Sequence, residues 1–152
     1  MRLKSVSALA AAVPVLAISV ALAASPVPPR TLAAINSQVR AVTHAQACDM
    51  VNFLPAYYEQ APGVAGHVAV GILDIDPENC GANFVMTSLA VYRVKGGRIQ
   101  PVALPAYLRK YNVQKVDAVT PEHGGLRIMV SYFGPGDPMC CANHKLSVFV
   151  RV

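Results

Sequence analysis

Phe84-Val85-Met86-Thr87-Ser88-Leu89-Ala90-Val91-Tyr92-Arg93-Val94-Lys95-Gly96-Gly97-Arg98-Ile99 decides the fold class. A run rich in β-branched and aromatic residues meets a Gly-Gly turn and a second short apolar run, which predicts a β-hairpin. With a period of two, Val85, Thr87, Leu89, Val91 and Arg93 share one face. Phe84, Met86, Ala90, Tyr92 and Val94 take the other. The return strand, Ile99–Leu104, contains Pro101, as an edge strand can.

The same pattern extends in both directions. Upstream, His67–Ile75 predicts a strand and Asp76–Asn83 a polar loop. Downstream, residues 105–111 form a connection with one helical turn, and Val113, Lys115 and Asp117 alternate against Gln114, Val116 and Ala118. This strand ends at Thr120-Pro121, and Glu122-His123-Gly124-Gly125 turns the chain. Leu126–Phe133 and Lys145–Val152 complete a set of six strands, separated by a cysteine-bearing loop at Gly134–His144. Short connections favour antiparallel neighbours. The expected fold is mainly β with an N-terminal helix (α+β), an antiparallel meander curled or closed into a partial barrel. No βαβ spacing is present, which argues against a doubly wound nucleotide-binding sheet.

Ahead of the strands, Leu32, Ile35, Val39 and Val42 recur at helical spacing behind Thr31, a capping residue. Ala45 and Cys48 continue that face, so the helix is expected over about 32–48. Val51–Tyr58, broken by Pro55, reads as the end of the helical region or a crossing of the core edge.

Residues 1–23 begin with Arg2 and Lys4, continue through an apolar run from Val6 and end in Ala21-Leu22-Ala23, the pattern of a cleaved export signal. Residues 24–30 form a Pro-rich spacer, and 31–152 form a single secreted domain. Periplasmic or extracellular location is expected, with no retained membrane span. The chain carries 13 basic and 8 acidic residues, and loss of the leader removes two of the basic ones. That modest, scattered charge does not form a nucleic-acid-binding stripe.

Export makes cysteine pairing the first reading of Cys48, Cys80, Cys140 and Cys141. Adjacent residues of an extended chain point to opposite sides, so Cys140 and Cys141 can reach different partners. Cys48–Cys140 with Cys80–Cys141 is slightly favoured, and the exchanged pairing remains open. The rival reading is a soft-metal site formed by Met139, Cys140, Cys141 and His144. No cofactor and no catalytic residue are assigned. Ser131 lacks a G-x-S-x-G setting, no H-E-x-x-H occurs, and Ser131, His144 and Asp137 form a triad only on paper. Tyr57, Tyr58, Tyr107 and Tyr111 are the candidate contact residues, because tyrosines pair an apolar ring with a polar tip.

Tyr132-Phe133-Gly134-Pro135-Gly136-Asp137-Pro138-Met139-Cys140-Cys141-Ala142-Asn143-His144 resembles the Asp-x-x-Cys-Cys segment of mycobacterial LppP/LprE-type exported envelope proteins. Ala142-Asn143 stands where Pro-Ser is usual in that family. The resemblance covers residues 64–152 and implies export, paired cysteines and β structure, without an activity. The expected function is therefore a non-enzymatic binding or interaction module of the envelope or periplasm, facing a protein or small ligand. A small secreted hydrolase is the alternative, and a soft-metal-binding protein the third.

Overall fold

A computed structural model describes residues 26–42, 50–76, 86–138 and 141–152. Helix α1 runs Pro29–Val42. Its start lies ahead of Thr31, because proline has a preset φ and lacks an N–H that the first turn could not use. Val27, within the expected spacer, is buried. The spacer residues 27–30 therefore already belong to the folded body. The expected extension of the helix through Cys48 falls outside the described residues.

Strand β1 (Met50–Glu59) replaces the expected end of the helical region. Pro55 obscures it in the sequence, yet β1 is an edge strand, where a missing N–H is tolerated. Six strands follow: β2 (His67–Asp76), β3 (Met86–Lys95), β4 (Arg98–Pro101), β5 (Asn112–Glu122), β6 (Gly125–Phe133) and β7 (His144–Arg151). A 3-10 turn at Ala106–Lys110 precedes β5, where one helical turn is expected.

The strands form two sheets rather than one curled sheet. β1-β2-β3-β4 and β5-β6-β7 are each antiparallel meanders. Among the described residues no ladder joins β4 to β5. Val102–Pro105 and the 3-10 turn carry the chain from one sheet to the other. The Thr87 hydroxyl donates to Asn112 Oδ1 and ties the start of β5 to β3.

The four-stranded sheet is covered on both faces. Val68, Val70, Ile72, Leu89 and Val91 meet Val113, Val116, Leu126, Ile128, Val130, Val148 and Val150 of the second sheet. Ala69, Ala90, Tyr92 and Val94 instead pack with Val51, Phe53 and the Ile35–Val39 face of α1. The layers are thus helix, four-stranded sheet, three-stranded sheet. Leu89 and Val91 take one face of β3 and Ala90, Tyr92 and Val94 the other, as the period of two predicts, while Phe84 and Val85 lie outside the described residues.

Bulges decide four side chains. In β1, Pro55 pairs with Gly71 and Tyr57 with Val70, leaving one extra residue. Tyr57 therefore turns into the inter-sheet core, while Tyr58 turns toward the helix side and stacks on His67 at 4.8 Å. In β5, bulges between Val113 and Lys115 and between Val116 and Ala118 break the expected strict alternation. Val113 and Val116 consequently share the inner face.

Candidate functional site

Among the described residues, the three-stranded sheet is packed on one face and open on the other. Register places Lys115, Ser131 and Lys145 in one cross-strand row of the open face. Ala118, Met129 and Ser147 form the next row, followed by Thr120, Arg127 and Phe149. Glu122, Gly125 and Arg151 close the series. The period of two explains this outward set, since Leu126, Ile128 and Val130 on the same strand face inward. Met129 and Phe149 remain 38% and 37% exposed, which makes them apolar surface groups rather than core.

Both acids of this face have partners. The bulge at Asp117 aims its carboxylate at Ser131, whose hydroxyl donates to Oδ2 at 2.6 Å. Lys115 Nζ and Lys145 Nζ lie 3.5 Å and 3.7 Å from the same carboxylate. Burial pushes the Asp117 carboxyl up, but the Ser131 hydroxyl and the two ammonium groups outweigh it and hold it below its ordinary value. Arg127 holds Glu122 through two bonds, Nε to Oε1 at 2.5 Å and Nη2 to Oε2 at 2.9 Å. Its guanidinium also lies 5.8 Å from the Phe149 ring centroid. Phe149 in turn covers Gly125, where a Cβ would come within 2.8 Å of Phe149 Cζ.

The Asp117 cluster sets an acid response. A carboxyl held below its unfolded value of about 3.9 stabilises the fold fully above that pH, and the contribution disappears as pH falls through the folded value. Wild type is expected to lose stability below about pH 4 more steeply than Asp117→Asn. Urea midpoints at pH 7 and pH 3 measure the difference, and equal losses in both proteins would remove this assignment.

A second cluster holds the cysteine-bearing loop. Asp137 Oδ2 accepts the backbone N–H of Gly134 at 2.8 Å and of Asn143 at 3.3 Å. Its other oxygen lies 3.5 Å from His144 Nε2. The Gly134 N–H does most to lower the Asp137 carboxyl, against some desolvation, with Asn143 and His144 adding to it. The Ala142 N–H donates to Gln114 Oε1 at 3.0 Å, so the loop is also fastened to β5. Cys141 is exposed, and its backbone N–H donates to the Pro138 carbonyl. Cys48, Cys80, Met139 and Cys140 lie outside the described residues. The expected disulfides and the four-residue metal set therefore fall largely there. Among the described residues no three His, Cys, Asp or Glu side chains cluster as metal ligands do.

The paper triad separates by alternation. Ser131 projects to the open face and bonds Asp117, whereas His144 shares the inward parity of Leu146 and Val148 and sits beside Asp137 and the Tyr132 ring. Of the four candidate tyrosines, Tyr57 and Tyr58 are buried at 6% and 8% exposure. The Tyr57 phenol has no hydrogen-bond partner among the described residues. Burial first and Glu59 second push its pKa up. Tyr107 is 48% exposed. Tyr111 is half-buried, edge-on to Tyr132 at 4.5 Å with Lys110 Nζ 5.1 Å from its ring. The 107–111 segment thus keeps one exposed tyrosine and one anchoring tyrosine.

One shallow cleft, about 250 Å³, is lined by Pro26, Tyr58, Glu59, Gln60 and His67. It brings a histidine and a carboxylate to one opening, with the imidazole stacked on Tyr58. The open sheet face escaped the sequence reading. Alternation names its residues, but only the packing of the other face shows which set is left uncovered. Comparison with family models, with curated proteins and with solved structures finds no match. No helix among the described residues is long and apolar enough to cross a membrane.

Proposed function

We propose that the chain is an exported, non-enzymatic interaction module of the bacterial envelope or periplasm whose contact surface is the open face of β5-β6-β7. The observation that carries this reading is the pairing of exposed Met129 and Phe149 with four cations, Lys115, Arg127, Lys145 and Arg151, against two carboxylates. Such a face suits an acidic protein surface that also offers apolar contact. The cations steer the approach and the two apolar side chains supply buried area. In this reading residues 1–23 direct export, the cysteines are paired, and Tyr107 contributes to a neighbouring patch. The resemblance of the Cys140-Cys141 segment to exported envelope proteins supports the setting.

The test uses the full mature chain and poly-glutamate as probe, alongside cross-linking in a native envelope fraction. Arg127→Glu with Lys145→Glu should reduce poly-glutamate binding by about tenfold or more, with a weaker salt dependence. Met129→Ser with Phe149→Ser should remove the envelope cross-link while leaving poly-glutamate binding largely intact. Unchanged capture in both double variants would reject this face. The hydrolase alternative rests on the Glu59–His67 cleft. Loss of ester or amide hydrolysis in His67→Ala, with capture unaffected, would favour it instead.

A further inference from the structure

The two sheets have four edge strands, β1, β4, β5 and β7, and three of them are guarded. β1 carries Pro55 and a bulge, and its Phe53 N–H donates to Asn36 Oδ1 of α1 at 2.7 Å. β4 is four residues long and ends in Pro101. β5 contains two bulges and Pro121. These are devices by which natural sheets block unwanted strand addition. β7 has none of them. It pairs with β6 over eight consecutive residues without a register shift, and among the described residues no other strand pairs with it. Its charged residues are confined to the ends, leaving Leu146-Ser147-Val148-Phe149-Val150 without charge, proline or glycine.

We infer that β7 is a self-association edge, joining two copies of this chain as antiparallel neighbours about a two-fold axis at Ser147. The charges are compatible with this register and oppose the adjacent one. With Ser147 opposite its own copy, Lys145 faces Phe149 of the second copy and Leu146 faces Val148. His144 faces Val150, and no like charges meet. Moving the axis to Val148 sets Lys145 against Arg151, a like-charge pair that strand neighbours avoid. In the Ser147 register the inward row stays apolar at its centre, so the two inter-sheet cores meet end to end. The second copy is the occupant because one uncharged segment supplies matching inner and outer rows to itself. The three-stranded sheets then merge into a six-stranded sheet with no new free edge at the seam. This association stands whether or not the open face binds a partner.

Sedimentation of the mature chain over a concentration series is expected to show a monomer–dimer equilibrium. Ser147 is exposed, so Ser147→Lys should leave the melting temperature nearly unchanged. It sets two ammonium groups against each other and should weaken dimerisation by about tenfold. Under mild oxidation Ser147→Cys should give a covalent dimer well above the background of the native cysteines. Thr120→Cys, exposed on β5, should not. A native chain that stays monomeric throughout would overturn the proposal. So would a dimer insensitive to Ser147→Lys, or equal cross-linking at the two introduced cysteines.

Discussion

Gly71→Ala is expected to be a strongly damaging single-methyl addition, lowering stability by about 3 kcal/mol. Gly71 lies in β2 opposite Pro55, beside the β1 bulge. A Cβ there would run into the Leu54 carbonyl oxygen and approach Phe53 Cε2 to 2.9 Å. The Phe53 ring could move, but the carbonyl belongs to the backbone ladder of β1 and cannot yield without breaking the pairing. Two outcomes test this account. Thermal melting should fall by roughly 10 °C. Truncating Phe53 as well should fail to rescue the variant, since the backbone clash remains. Full rescue in the Phe53→Ala, Gly71→Ala double variant would place the conflict at the ring instead.

Ile128→Ala should cost about 4 kcal/mol, within the range for removing three carbons from a filled core. Ile128 is fully buried on the central strand of the smaller sheet, opposite Val119 on one side and Val148 on the other. It therefore contacts the layer that holds the two sheets together. Met129, its immediate neighbour, points to the open face, and Met129→Ala should change stability by about 0.5 kcal/mol or less. Urea denaturation of this adjacent pair separates the two faces of β6. Equal losses would mean that the outer face is covered and would reject it as the proposed contact surface.

The strands with an unbroken apolar pattern were legible in the chain. β6 and β7 carry apolar residues at a period of two, β2 and β3 are near-continuous apolar runs rich in β-branched residues, and the Gly96-Gly97 and Gly124-Gly125 turns separate neighbours. β1 was not legible, because Pro55 is a breaker unless the strand is known to lie at an edge. The Asp117 cluster was hidden for a related reason. Strict alternation puts Lys115 and Asp117 together with Val113, whereas two extra residues in β5 rotate Val113 inward and leave the two charges outside. Ser131 and His144 looked like possible partners from composition alone. The pleat, which sends neighbouring parities to opposite sides, sends each of them to its own aspartate.

By itself the order of residues determined that this is a helix followed by antiparallel strands, because hydrophobic period and turn chemistry are local properties. Tertiary structure decided that the strands divide into two sheets and that the larger one is covered twice. Among the described residues it also left one face of the smaller sheet and the edge of β7 without a neighbour. Those outcomes depend on bulges, on the closeness of Leu54 to Gly71 and on which layers meet, all of which are contacts between residues far apart in the chain.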